Sequence, residues 1–328
     1  MPTSSPPDGE GSETSGTLAG VGEFGLIARL TAGRVQPAST LLGPGDDAAI
    51  VAAPDGRVVV STDVLVEGVH FRFDWSTPEQ VGRKAAASNL ADIAAMGAVP
   101  TALLLGLSCP ESTPIATLTE IGDGLWAEAT AAGAGVVGGD VTSSATLVLS
   151  ITVLGSLEGR EPVTRSGARP GDIVALAGRT GWAAAGWAVL ARGFRSPKVV
   201  VGAQRVPEPP YAAGPAAAVA GATAMIDVSD GLLADLGHIA AASGVEIDVR
   251  PPPVPARLAD VGAALGVDPV HWLLTGGEDH ALVATFPPDA GLPAGWAAIG
   301  EAREGSPRVL VSGKPYDGGA AGWDHFAR

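Results

Sequence analysis

Strand-like and helix-like segments alternate along this chain from Val58 onward. Runs rich in Val, Ile and Leu predict strands at 58–61, 103–108, 147–154, 173–177, 224–227, 245–249, 281–285 and 309–311. Helical patterns are predicted at 24–30, 78–96, 118–132, 182–191 and 232–243. This order is typical of α/β proteins, and the apolar content of 46% supplies a core that a disordered chain would lack.

The length of 328 residues favours two domains. Residues 1–20 are rich in Pro, Ser, Gly and acidic side chains, which predicts a disordered tail. Turn residues and charges concentrate at 158–171, which marks a boundary between two halves. We therefore expect an N-terminal α/β domain at 21–160 and a C-terminal α/β domain at 161–328.

The charge balance excludes several classes of partner. The chain has 20 Lys and Arg against 35 Asp and Glu, so its average surface repels nucleic acid and anionic membranes. A single cysteine, Cys109, allows no intrachain disulfide and lies in an apolar segment typical of a core. Residues 1–28 contain no Lys or Arg and so lack the basic start of a signal peptide, and we expect a cytoplasmic protein.

Common nucleotide motifs are absent or misplaced. Two stretches, 20–25 and 133–138, match G-x-G-x-x-G, but the first lacks a preceding strand and the second follows a helix. There is no P-loop, because Lys314 of the pair Gly313-Lys314 is followed by Pro315, and no G-x-S-x-G nucleophile elbow. The five histidines show no zinc-type spacing.

Carboxylates recur beside glycine or small hydroxyl residues at the ends of predicted elements. They are Asp46, Asp47, Asp63, Asp92, Asp140, Asp227, Asp230, Glu278 and Asp279. One such residue alone is ordinary turn or cap chemistry. Their recurrence predicts a site where Mg²⁺ ions, with an arginine or two, neutralise phosphates in a chain that has only three lysines, although sequence alone does not establish that they converge.

The motifs in their chain order resemble the thiamine-monophosphate kinase family of the aminoimidazole ribonucleotide synthetase superfamily. They are GEFGLIARL, GPGDDAA, STDVLVEGVHF, KAAASNLADIAAMGA, GGDVT, TRSGARPGD, IDVSDGL, TGGEDHAL and GWDHF. The resemblance implies an enzyme that phosphorylates thiamine monophosphate to thiamine diphosphate with ATP and several Mg²⁺ ions. It also implies a homodimer in which N-terminal strands pair into a β-barrel, beside a C-terminal α/β layer domain.

The resemblance also implies roles for particular residues. The implied metal ligands are Asp47, Ser61, Thr62, Asp63, Asp92, Asp140, Asp227 and Asp230, with Asp46 beside them. The implied ATP contacts are Gly139, Asp140, Arg165 and Ser229, and the implied thiamine monophosphate contacts are His70, Glu278 and Trp323. A phosphate acceptor is already ionised near neutral pH, so no catalytic base or nucleophile is expected.

Two features depart from the family pattern. The tail before Gly20 is an addition, and His280 stands where the family often has an aromatic residue. Relatives that make selenophosphate or mature hydrogenase use a reactive cysteine or selenocysteine, and the position of Cys109 matches neither. Two alternatives remain open: another ATP-using enzyme of the superfamily, and a nucleotide- or Mg²⁺-binding regulatory protein without turnover.

Overall fold

The computed structural model describes residues 16–45 and 48–323. Its helices are α1 (Leu18–Thr31), α2 (Pro78–Ala95), α3 (Ile115–Ala131), α4 (Trp182–Ala191), α5 (Lys198–Arg205), α6 (Ala213–Val219), α7 (Leu232–Ser243), α8 (Ala256–Leu265) and α9 (Pro269–Thr275). Most of the predicted tail lies outside the described residues. Its last three residues begin α1, where Leu18 is buried, so the tail prediction was wrong there.

The strands form two larger sheets and one small hairpin. They are β1 (Thr40–Leu42), β2 (Ile50–Val51), β3 (Val59–Val66), β4 (Val99–Cys109), β5 (Gly135–Ser143), β6 (Val148–Ser156), β7 (Ile173–Ala177), β8 (Ala224–Val228), β9 (Glu246–Val249), β10 (Ala281–Phe286), β11 (Trp296–Arg303) and β12 (Arg308–Val311). The order β3-β6-β4-β5 defines the first sheet, and β12-β9-β11-β7-β10-β8 the second. The α/β expectation is confirmed.

Helices α2 and α3 cover one face of the four-stranded sheet. They pack backbone against backbone, because a Cβ on Gly82 would lie 1.9 Å from the carbonyl oxygen of Ile121, and one on Gly124 would lie 1.9 Å from that of Glu79. This close approach buries most of α2, and the helix presents Asn89 and Asp92 to β3. The core beneath contains Leu90, Ile93, Leu103, Leu125 and Ile151.

The ends of α2 follow from local chemistry. The Thr77 hydroxyl accepts a hydrogen bond from the Gln80 amide, and the Gln80 side chain accepts one from the Thr77 amide. Pro78 occupies the first helical position, and Gly97 beyond the last turn has a φ of 72°. The helix predicted at 78–96 is therefore confirmed to within one residue.

The second sheet is antiparallel except where β12 pairs with β9. Helix α7 packs on one face through Leu236 and Ile239. On the other face, Ala94 and Ala95 from the end of α2 join a cluster with Met225. The C-terminal turn of α2 therefore reaches both sheets, and the connection between them spans the predicted boundary at 158–171.

The sequence patterns missed several elements. Strand β5 was not among the predicted strands. A Cβ on Gly139 would lie 2.1 Å from the Leu105 carbonyl oxygen, so glycine allows this strand to pair. Strand β11 and the short helices α5, α6, α8 and α9 were also missed. No helix in the described ranges is long and apolar enough to cross a membrane. Cys109 is fully buried at the end of β4, as a core residue.

Candidate active site

A cavity of about 180 Å³ lies where β3 and the end of α2 meet β8. Its polar lining comes from Ser61 on β3, Asp92 on α2, Arg165 in the connection between the sheets, and Asp227 on β8. These four residues are among those that the sequence singled out. The structure therefore brings together predicted site residues from both halves of the chain.

Helix α2 holds β3 through two side chains that are three residues apart. Asp92 Oδ2 accepts a hydrogen bond of 2.6 Å from Ser61 Oγ. Asn89 Oδ1 accepts one of 2.9 Å from the Asp63 amide, while its Nδ2 donates to the Ala85 carbonyl at 2.9 Å. Asn89 is fully buried and was not a predicted site residue. Its shared helical face with Asp92 was the signal that could have found it.

The carboxylates around this cavity repel one another. Burial raises the pKa of Asp92 to about 7, and the charge of Asp227 contributes to the same shift. Burial also raises the pKa of Asp63, and the charges of Asp227 and Asp230 add to the effect. Hard divalent cations bind such oxygen ligands and would relieve this repulsion, so the donor set fits Mg²⁺.

The support for Mg²⁺ comes from the negative charge of these carboxylates and not from their arrangement. Among residues 16–45 and 48–323, no group of three or more His, Cys, Asp or Glu side chains is arranged to hold a metal ion. Asp46 and Asp47, which the sequence predicted beside and within the metal site, lie outside the described residues.

His280 contributes a basic group to this acidic cluster. Its Nδ1 lies 3.0 Å from Asp227 Oδ2, and both residues are buried. Burial by itself lowers the pKa of His280, but the hydrogen bond to Asp227 and the surrounding carboxylates outweigh it, so the pKa is raised. His280 therefore places a hydrogen-bond partner against a predicted metal ligand.

The turn after β8 carries Ser229 and Asp230, and Asp235 holds it in place. Asp235 Oδ2 accepts hydrogen bonds from the amides of Asp230 at 3.1 Å and Gly231 at 3.0 Å. The Trp323 amide donates to the Asp230 carbonyl at 2.9 Å. Asp235 is buried, and burial together with the charge of Asp227 raises its pKa to about 7. Asp235 was missed because its role depends on a turn that folds back on it.

The turn before β10 brings Glu278 next to this loop. The Glu278 amide donates to the Ser229 carbonyl at 2.8 Å. Its side chain accepts a hydrogen bond of 2.9 Å from Lys84 Nζ, which also donates to the His70 carbonyl at 3.1 Å. The structure thus joins the predicted substrate residues His70 and Glu278 through a buried lysine. A lysine in the alanine-rich, mostly buried α2 needs a partner, and this signal was missed.

Gly139 and Asp140 lie elsewhere within one chain. Gly139 pairs with Leu105, Leu105 with Ile151, and Ile151 with Asp63. Three strand spacings, about 14 Å in total, therefore separate the two edges of the sheet. Asp140 is exposed on β5. These two residues are therefore not brought to the cavity by the fold of a single chain.

Two further predicted residues, Thr62 and Trp323, do not line this cavity. Thr62 alternates with Asp63 along β3, and its hydroxyl donates to the Ile151 carbonyl at 2.9 Å. Its side chain therefore points to the opposite face of the sheet from that of Asp63. Trp323 is 64% exposed, close to the Asp230 turn through its backbone.

Sequence comparisons relate this chain to known proteins. Residues 45–157 match the family model described as AIR synthase related protein, N-terminal domain. The chain is 53% identical over 315 residues to a thiamine-monophosphate kinase of Mycobacterium tuberculosis, covering 95% of this chain and 94% of that protein.

Solved structures are similar over nearly the whole chain. A thiamine-monophosphate kinase from Stenotrophomonas maltophilia superposes with a TM-score of 0.77 at 32% identity, covering 89% of this chain and 95% of that one. AaThiL complexed with AMPPCP and TMP gives a TM-score of 0.75 at 31% identity, covering 95% of this chain and 99% of that one.

The four-stranded sheet with its covering helices, joined to a second α/β layer across an acidic cleft, defines an AIR synthase-related protein. The chain belongs to the thiamine-monophosphate kinase family. The family resemblance drawn from the motifs is therefore confirmed.

Proposed function

We propose that this protein transfers the γ-phosphoryl group of ATP to the phosphate of thiamine monophosphate, yielding thiamine diphosphate and ADP. The observation that carries the proposal is the cleft between β3, α2 and β8. There Ser61, Asp92, Arg165 and Asp227 converge in a chain of this family. A similar protein, AaThiL, has been solved with AMPPCP and TMP together.

The reaction needs charge neutralisation and alignment more than proton transfer. An oxygen of the acceptor phosphate attacks the γ-phosphorus, and the bond from that phosphorus to the β,γ-bridging oxygen breaks as ADP leaves. The acceptor oxygen carries no proton near neutral pH, so no base is assigned. Arg165 lines the cavity and can hold phosphate oxygens with a planar guanidinium.

Magnesium ions, when bound, would supply positive charge to the transferred phosphoryl group and the leaving ADP. The residues that would hold them are Asp47, Ser61, Asp63, Asp92, Asp140, Asp227 and Asp230, without Thr62, whose side chain points to the opposite face of the sheet from that of Asp63. The carboxylates of Asp63 and Asp92 support this assignment, because burial and the charge of Asp227 raise the pKa of each, and a bound cation would relieve that repulsion.

Residues around the acidic cluster are proposed to bind the two substrates. Ser229, Arg165, Gly139 and Asp140 would contact ATP. His70, Glu278 and Trp323 would contact thiamine monophosphate. The turns that carry Ser229 and Glu278 are hydrogen-bonded to each other, which supports adjacent sites for the two substrates.

A homodimer would complete this site. Strands β3 and β5 are the two edges of the sheet, so among the described residues each has one side along which no strand of this sheet pairs. Val60 and Val64 on β3 are 59% and 48% exposed, which leaves apolar surface beside the open edge. If β5 of a second copy lies next to β3, its Gly139 and Asp140 reach the cleft without crossing the sheet.

The proposed activity is tested by an endpoint assay with ATP, Mg²⁺ and thiamine monophosphate, with thiamine species resolved by chromatography. Thiamine diphosphate should form from the monophosphate, not from free thiamine, and only when Mg²⁺ is present. Binding of ATP without product would reject the kinase and favour a sister enzyme or a regulatory protein. We expect the protein to work in the cytoplasm, which fractionation of cells would check.

A further inference from the structure

Lys84 is an almost fully buried cation of α2, with a side chain that is 4% exposed. Its ammonium group donates to Glu278 Oε2 at 2.9 Å and to the His70 carbonyl at 3.1 Å. Burying an ammonium group is costly unless its partners are close and well aligned. Lys84 therefore contacts two residues whose side chains are proposed to bind thiamine monophosphate. It contacts Glu278 through the side chain and His70 through the main-chain carbonyl.

The Glu278 carboxylate is held from two sides. Gln204 Nε2 of α5 lies 3.5 Å from the same Oε2 that Lys84 contacts. Both contacts use one oxygen, so Oε1 can accept a hydrogen bond from a ligand. The backbone of Glu278 has a φ of 67°, in the left-handed region, and its amide is tied to the Ser229 carbonyl. The main chain is thus set by the turn, and the direction of the side chain by Lys84 and Gln204.

Lys84 also connects the two halves of the chain. His70 follows β3, Glu278 precedes β10, and the ion pair joins residues 194 positions apart in sequence. Removing the ammonium group would leave the Glu278 carboxylate without the countercharge that lies 2.9 Å from its Oε2. The carboxylate would then move or take up a proton.

We propose that Lys84 is a positioning residue for the binding of thiamine monophosphate. Its ammonium group holds the Glu278 carboxylate and the His70 turn at a set separation across the cleft. The inference rests on the proposed function and extends it to a residue that touches neither reacting phosphate. It locates the effect of Lys84 on the thiamine side, because none of its contacts involves Ser61, Asp92, Arg165 or Asp227.

The test is the variant Lys84→Met, which keeps an unbranched side chain and removes the charge. The matched control is Arg83→Met on the same helix. Arg83 donates two hydrogen bonds to Glu128 of α3, at 3.0 and 2.9 Å, so the control removes one positive charge and one ion pair outside the cleft. Initial rates of both variants and the wild-type enzyme are measured while each substrate is varied in turn, and Tm is recorded for all three.

We expect Lys84→Met to raise KM for thiamine monophosphate by at least about tenfold, with KM for ATP unchanged. This is the effect of losing one charge-assisted hydrogen bond between the Glu278 carboxylate and the substrate. Arg83→Met should lower Tm and leave both KM values unchanged. In a Glu278→Gln background, Lys84→Met should add less than about a twofold change, since the two side chains act together. Equal increases in both KM values, or a change in Tm alone, would overturn the proposal.

If Lys84→Met does not fold, Lys84→Arg carries the same test, because it retains the buried charge but widens the head group. A selective rise in KM for thiamine monophosphate supports the proposal, and an unchanged KM rejects it. Wild-type turnover in the same series tests the proposed function separately. Its absence would reject that function, whereas an active wild-type enzyme with an unchanged variant rejects only the role of Lys84.

Discussion

Asp63 and Gly139 lie on one transverse row of the four-stranded sheet, at its two opposite edges. The row runs through Ile151 and Leu105, so about 14 Å of sheet separates the two residues. Both belong to the predicted site. A site that uses both is complete only when an edge of a second chain lies beside the first.

A charge beside the open edge of β3 should therefore abolish both dimerisation and activity. Val64 is 48% exposed, and Val64→Asp would place a carboxylate in the proposed interface. We expect a folded monomer by light scattering, with kcat reduced by at least about a hundredfold, since Gly139 and Asp140 of the second copy would be lost. Val219→Asp, at a 76% exposed position on α6, is the control and should remain dimeric and active. A dimeric, active Val64→Asp protein would contradict the arrangement.

The raised pKa of Asp92 predicts a specific dependence of stability on pH. Its pKa is about 7 in the folded protein against an ordinary value of 3.8. Between these values the folded protein keeps a proton that the unfolded chain has released, so this group's contribution to stability falls as the pH rises from about 4 to 7. The side chain in Asp92→Asn does not ionise, so this variant does not lose stability in this way.

The comparison is made by urea unfolding without divalent cations. The free energy of unfolding of Asp92→Asn relative to the wild type should increase across that window, by on the order of 4 kcal/mol at its upper end. A difference that is the same at pH 4.5 and pH 8 would show that Asp92 ionises normally.

Asp235 should support the Asp230 turn as a hydrogen-bond acceptor. Asp235→Ala leaves the amides of Asp230 and Gly231 without their partner and should lower the free energy of unfolding by about 1–3 kcal/mol. Asp235→Asn retains an oxygen that can accept both bonds and should lose much less. We also expect a higher Mg²⁺ requirement for Asp235→Ala, because Asp230 is a proposed ligand. Equal stability of the two variants would disprove this role.

Gly277 should tolerate no side chain. A Cβ there would lie 2.2 Å from the Ser229 carbonyl oxygen, the atom that accepts the Glu278 amide. Gly277→Ala should lower stability by about 1–3 kcal/mol and raise KM for thiamine monophosphate. Gly237→Ala on α7, where a Cβ meets nothing within 4 Å, should be neutral or stabilising by up to about 1 kcal/mol. Chemical denaturation of both variants checks the contrast, and a neutral Gly277→Ala would refute the argument.

Much of the architecture was readable from local patterns. The strand predicted at 173–177 and the helices predicted at 182–191 and 232–243 have the same ends in the structure. Such segments combine a continuous apolar pattern with turn residues at their ends. Strand β5 was missed because Gly138 and Gly139 resemble a turn locally, and only the close approach of Leu105 explains them.

The same division holds for the site. Residue type and order were enough to single out Asp92, Asp227 and Glu278, since acidic residues beside small ones mark phosphate and metal chemistry, whereas Arg165 was assigned from the family resemblance. Tertiary structure decided which of them meet. Asn89, Asp235 and Lys84 act through partners that only the folded chain brings near. Hydrogen bonds and ion pairs depend on separations of about 3 Å, and a sequence spacing of 194 residues carries no information about that distance.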